Sequence, residues 1–289
     1  MHRRFFGAWV MVGVVAIGAG MLAVAPWDNV SVARPEIHPV YLDFPSTVSA
    51  FEKPETQSSG LTTPVGAIVN HHLLAASFIR DTLNQIRPGA IQHIILISPN
   101  HFLAGRSSIQ TANEDFATPY GVVPIDRTSA AQLAASSVVH VENQTFEHEH
   151  GIYNILPYIA RQLPWATVTP IIIKYGTPEP LLKQLRALLD EELLPGTLVL
   201  GSFDFSHYLT SDQADAQDAI TLQSVTKLAT DREEPLYVDS PEGLRLTLQL
   251  VHDAGARRFS LIHHSNSAKL TGNMSSAETT SYVTGLFWR

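Results

Sequence analysis

His93-Ile94-Ile95-Leu96-Ile97-Ser98-Pro99-Asn100-His101 is the stretch that decides the fold. From Ile94 to Ile97 no polar residue alternates with the apolar ones, so a strand built from this run must be buried on both faces. Strands of that kind belong to parallel sheets covered by helices on either side. A Ser-Pro-Asn turn ends the run, and a histidine follows at once.

Moving outward, the same signature recurs at Ile171-Ile172-Ile173 and Leu198-Val199-Leu200. The pattern predicts strands over 65–70, 93–98, 168–174, 197–202, 259–263 and 282–288. Helices are predicted near 73–86, 128–136, 152–162, 178–192, 212–230 and 241–254. Alternation of this kind implies an α/β domain with a mostly parallel sheet and helices on each side. No internal repeat is visible.

The chain has 289 residues, and about 240 remain beyond the N-terminal lead, which suits one large domain better than two. Apolar residues make up 45% and charged residues 16%, enough for a sizeable core. A net charge of −8 with no basic stripe argues against nucleic acid as a partner. Cysteine is absent, which removes disulfides, thiolate nucleophiles and cysteine-based zinc sites. The 13 histidines become the informative residue type.

At the N-terminus, His2, Arg3 and Arg4 precede an uncharged run over 5–26. At ~1.5 Å per residue its roughly 22 residues are long enough to cross a ~30 Å hydrocarbon core. Residues 1–27 read either as an uncleaved signal anchor or as a signal peptide cut near Ala23-Val24-Ala25. Both readings place the globular domain outside the cytoplasm, anchored to the membrane or secreted. Residues 28–60, with prolines, serines and mixed charges, read as a tether with room for one edge strand. The folded domain is expected over 61–289.

Ligands of open parallel sheets bind at the carboxyl ends of the strands, and the unusual residues fall there. The first strand runs into Asn70-His71-His72, the second into Asn100-His101, and the fourth into Asp204-Phe205-Ser206-His207-Tyr208. The fifth runs into His263-His264. Glu147-His148-Glu149-His150-Gly151 lies between the second and third strands. Imidazole and carboxylate together bind divalent iron, zinc, manganese or copper, and unligated histidine serves as acid or base near neutrality.

Each candidate has a plainer reading. Only one of His71 and His72 need face the cleft, and His71 is favoured. Asp204 and His150 could cap helices. His148 and Glu149 read as a solvated face. His101 could sit in a turn, and His263 and His264 are open. His38, His93, His140 and His252 look scattered. His148-Glu149 does not extend to a His-Glu-x-x-His zinc signature, because the next histidine comes too early.

The ordered series Ala67-Ile68-Val69-Asn70-His71, Ser98-Pro99-Asn100-His101, Glu149-His150-Gly151-Ile152 with Leu156-Pro157-Tyr158, and Ser202-Phe203-Asp204-Phe205-Ser206-His207-Tyr208 resembles the Memo family. So does the closing Glu278-Thr279-Thr280-Ser281-Tyr282-Val283-Thr284-Gly285. That family includes protein B of the AmmeMemoRadiSam system and is similar in fold to the class III extradiol dioxygenases. The resemblance implies a three-layer α/β/α fold. It also implies metal ligation by His71 and His101, with His150, Asp204 and His207 lining the cleft as acid/base candidates. Dioxygenase relatives hold ferrous iron with two histidines and a glutamate. Memo proteins commonly place a cysteine at the third position and have been ascribed copper or iron.

This chain departs from that pattern. The corresponding stretch is Tyr237-Val238-Asp239-Ser240-Pro241-Glu242-Gly243, where Asp239 is the nearest third ligand and Glu242 the next. A carboxylate there makes a two-histidine-one-carboxylate set, which suits Fe(II) more than copper. The alternative is that this stretch only caps a helix, with Ser240 as N-cap and Pro241 at its first position. The expected function is a Memo-like metal-binding protein, with redox or dioxygenase-type chemistry on a small-molecule or peptide ligand in the cleft. A non-catalytic binding module on the same fold and an extracytoplasmic metallo-hydrolase are the alternatives.

Overall fold

In the computed structural model, which describes residues 35–39, 63–229 and 234–289, alternate side chains of the opening run go to opposite cores. Ile94 and Leu96 enter one apolar cluster, Ile95 and Ile97 the other. Neighbouring strands divide in the same way. Ala67, Val69, Leu198 and Leu200 join the first cluster, and Ile68 and Val199 the second. Each fully buried aliphatic side chain contributes about 1.5–3 kcal/mol, and a sheet that buries both faces needs helices on both.

The strands are β1 (Glu36–Ile37), β2 (Gly66–Val69), β3 (His93–Pro99), β4 (Ile109–Thr111), β5 (Asp115–Thr118) and β6 (Gly121–Val123). They continue with β7 (His140–Val141), β8 (Thr167–Ile173), β9 (Thr197–Ser202), β10 (His207–Leu209), β11 (Arg258–Asn266) and β12 (Thr279–Trp288). A 3-10 turn (Leu73–Ala75) precedes α1 (Ala76–Leu83). Then come α2 (Arg127–Ala134), α3 (Asn143–Phe146), α4 (His150–Tyr153) and α5 (Leu156–Gln162). The last four are α6 (Glu179–Asp190), α7 (Ser211–Thr226), α8 (Pro241–Asp253) and α9 (Ser267–Thr271).

Helices α1 and α5 close the first core through Ile79, Leu83, Leu156 and Ile159. Helices α6 and α8 close the second through Leu182, Leu185, Leu189, Leu244 and Leu248. The fold is the three-layer α/β/α arrangement. The single helix expected over 152–162 is two short ones, because Pro157 has no N–H to donate and is accommodated in the first turn of a new helix.

The large sheet runs β10-β12-β2-β9-β3-β8-β4-β7, with β11 on β12. Its centre, β2-β9-β3-β8, is parallel. At the margins β12 joins β2, and β4 joins β8, antiparallel, so the sheet as a whole is mixed. Val69 stands opposite Ser202, Ile97 opposite Gly201, and Pro99 opposite Ile173. These registers bring the carboxyl ends of the four central strands to one edge.

A second, three-stranded sheet pairs β1 with β5 and β5 with β6. Part of the stretch expected as a tether is therefore edge strand, and Ile37 is buried in the first core. The membrane segment expected over 1–27 lies outside the described residues. Among the described residues no helix is long and apolar enough to cross a membrane.

Candidate metal centre

Three chain turns at that edge are tied together by carboxylates. Past β2, the backbone N–H groups of His71 and His72 donate to Asp204 Oδ1 at 3.1 and 3.4 Å. Asn154 Nδ2 donates to the His71 carbonyl at 3.0 Å. Past β3, Asn100 closes its turn through both side-chain atoms, with Ala104 as partner at 2.9 and 3.0 Å. The next residue, His101, donates its backbone N–H to Glu149 Oε2 at 2.9 Å.

Past β9, Asp204 and Asp239 pair. The Asp204 N–H donates to Asp239 Oδ2 at 2.9 Å, and the Asp239 N–H donates to the Asp204 carbonyl at 3.0 Å. Ser240 then accepts from Gly243 N at 3.1 Å, with Pro241 in the first turn of α8. The capping reading of this stretch holds, and the same turn brings the Asp239 side chain to the histidines.

The side chains converge. Asp239 Oδ2 lies 3.2 Å from His71 Nε2 and 3.6 Å from His101 Nε2. Asp204 Oδ2 is 3.6 Å from His71 Nε2. The rings of His71 and His101 stand at right angles, 4.8 Å apart. His150 stacks on His101 at 3.9 Å and meets His71 edge-on at 5.2 Å. His71, His101 and His150 each offer a ring nitrogen within 4.8 Å of the others.

Burial sets the electrostatics. On His71 burial opposes charge, yet the Asp204 charge and the Asp239 hydrogen bond outweigh it and raise its pKa. On His101 burial again opposes, and the bonds to Asp239 and Glu149 with their charges push it up to about 10. Burial also lowers His150, and the positive charge of His101 and His71 takes it down to about 3. Asp239 resists burial because His101 and His71 donate to it, which holds its carboxyl well below the usual carboxylate range.

These residues fit a cation. The Asp239 side chain is 9% exposed, and its second oxygen, Oδ1, is buried with no hydrogen-bond partner. Ligand atoms ~2.1 Å from a shared ion stand roughly 3–4 Å apart, and the Asp239 separations from both Nε2 atoms lie in that range. Two imidazoles and one carboxylate leave further positions of an ion open.

A family model described as Memo-like protein matches residues 74–285. The chain belongs to the Memo family. A MEMO1 family protein of Aquifex aeolicus is 24% identical over 197 residues, covering 64% of this chain and 72% of that protein. One from Methanococcus maripaludis is 26% identical over 249 residues, covering 81% and 84%. The crystal structure of an uncharacterised Escherichia coli K12 protein is similar with a TM-score of 0.49 and 14% identity, over 77% of this chain and 99% of that one.

In this Memo chain the favoured residue of the His71-His72 pair is the buried one. His72 is exposed, accepts from Leu74 N, and shares a 3.1 Å hydrogen bond with Tyr282 Oη through its Nδ1. His150 is the first residue of α4, and the capping role falls to Glu149, which accepts from Gly151 N at 2.9 Å. Glu149 itself corrects the expectation of a solvated face: it is wholly buried against His101, while His148 is exposed. Glu242 does not join the cluster and instead accepts from Gly176 N at 2.8 Å.

His207 sits in β10 opposite Thr280, with its ring beside that of Tyr208 at 5.8 Å. Among the described residues no hydrogen bond or ion pair joins it to the cluster. His263 stacks on Phe78 at 4.2 Å. His264 binds Asp218 at 2.8 Å in a group with Asp215. That group already carries its own cation, because Lys269 Nζ lies 2.6 Å from Asp215.

Proposed function

We propose that this Memo-family chain holds a divalent metal through His71, His101 and Asp239, with His150 as the adjoining acid/base group, and that Fe(II) suits the site better than copper. The observation that carries this reading is Asp239: a nearly buried carboxylate facing two imidazole Nε2 atoms, with one oxygen left without a partner. When bound, Fe(II) supplies Lewis acidity and open coordination positions for a substrate and dioxygen.

The chain's own residues do the rest. Asp204 holds the His71 turn by its backbone, and Glu149 holds the His101 turn. His150, kept neutral by its surroundings, offers a ring nitrogen as hydrogen-bond acceptor to a ligand in the cleft. Phe102 and Leu103 follow the end of β3 and are 62% and 56% exposed, with the Phe102 ring 5.9 Å from that of His150. Leu103 adopts a φ of 49°, a strained backbone for a side chain of this size. An apolar small molecule or peptide side chain is the ligand such a rim favours.

Anaerobic metal analysis of purified protein tests the reading. Close to one transition-metal ion per chain in the wild type, lost in His101→Ala, is the expected result. Metal-free wild type that takes up no Fe(II) overturns it, and leaves a binding module on the same fold. The N-terminal segment's role as a membrane anchor or export signal is a separate proposal, tested by carbonate extraction of membranes.

A further inference from the structure

A neutral imidazole carries one ring proton, so the partner of one nitrogen decides whether the other has a free lone pair. Ser202 is wholly buried, and its hydroxyl proton goes to the Gly151 carbonyl at 2.6 Å. The same oxygen stands 3.2 Å from His71 Nδ1. With its proton committed, Ser202 can only accept, so His71 is protonated on Nδ1, and Nε2 is the nitrogen whose proton an ion displaces. Glu149 Oε1 lies 2.6 Å from His101 Nδ1. A carboxylate there only accepts, so His101 also carries a proton on Nδ1.

The two arrangements meet at one residue. Gly151 donates its N–H to Glu149 Oε1 at 2.9 Å and gives its carbonyl to Ser202. A Cβ at this position would run into Ser98 Oγ, and would stand 3.2 Å from Glu149 Oε1 and 3.3 Å from His101 Cε1. Only glycine lets the start of α4 lie this close to both histidine turns.

Resting on the metal-site reading above, the geometry points to Glu149, Gly151 and Ser202 as one positioning unit. It fixes both metal-binding histidines as Nδ1–H tautomers and presents both Nε2 atoms to Asp239. None of the three touches the ion. Together they decide that two separate strand ends keep the Nδ1 proton and turn Nε2 in the same direction, so that an ion displaces the Nε2 proton of each.

Ring ¹⁵N–¹H NMR on the full chain, metal-free and with Zn(II) as probe, reads the Nδ1–H protons. Calorimetric Zn(II) titration reads affinity. The wild type shows slowly exchanging Nδ1–H protons for His71 and His101 in both states. Ser202→Ala loses the His71 signal and Glu149→Ala the His101 signal, each weakening Zn(II) binding by about 10–100-fold. Glu149→Gln keeps an acceptor oxygen, so it retains the His101 ring proton while still binding Zn(II) more weakly. It also serves if Glu149→Ala does not fold.

Because both arms pass through Gly151, the double variant costs less than the product of the two single losses. Unchanged ring protons in Ser202→Ala and Glu149→Ala, or strictly multiplicative losses, overturn the proposal. Wild type that shows both ring protons but binds no Zn(II) sinks the metal reading and leaves the positioning unit standing.

Discussion

The shifted protonation of His101 makes the metal-free protein lose stability as pH rises, and Asp239→Asn blunts that loss. The His101 pKa stands at about 10 against an ordinary 6.5, because the Asp239 and Glu149 bonds outweigh burial. The folded state binds the proton more tightly than the unfolded state. The contribution is therefore complete below about pH 6.5, erodes as pH climbs, and is gone above about pH 10. Over that span, at about 1.4 kcal/mol per pH unit, the ceiling is about 5 kcal/mol. The Asp239 hydrogen bond is the largest of the favourable causes and its charge adds to it, so Asp239→Asn flattens the slope. Urea denaturation of chelator-treated protein at several pH values across the window measures it. Zn(II) reverses the trend, since a metal needs the deprotonated ring and binds more tightly as pH rises. Metal-free stability that is flat or increasing across the window, or an equal slope in the variant, refutes the reasoning.

Three further outcomes follow from the packing. Leu96→Ala, at a wholly buried position in the central strand, costs about 2–5 kcal/mol in denaturant unfolding. Ser240→Ala removes the cap of α8 and costs about 0.5–2 kcal/mol. It also weakens Zn(II) binding, because the cap places Asp239, and calorimetry would show both effects together. His207→Ala leaves Zn(II) affinity unchanged, since among the described residues no hydrogen bond or ion pair joins His207 to the cluster. A loss of affinity there would make it a ligand.

The central sheet was legible because both-face burial writes itself into Ile94 to Ile97 as unbroken apolar sequence. The antiparallel margins were less so. Strands as short as Ile109–Thr111 and His140–Val141 carry no period to read, and their pairing depends on neighbours distant in the chain. His71, His101 and Asp204 were visible as polar residues stranded at the ends of apolar runs, His150 within a Glu/His cluster, and Asp239 only through the resemblance to the Memo family. Glu149 was not, because a carboxylate between two histidines reads as solvated until α4 folds it against His101. Its position two residues before Gly151 at a helix start was the available signal. His207 shows the opposite case: a strand-end histidine in a matching motif that folds into the edge strand β10, out of direct contact with the cluster.

Anomalous diffraction from crystals of Fe(II)-loaded protein, measured at the iron edge, puts the central claim to its most direct test. One strong peak is expected within bonding distance of His71 Nε2, His101 Nε2 and a carboxylate oxygen of Asp239. No peak at those atoms, or a peak only at Asp215, Asp218 and His264, contradicts it.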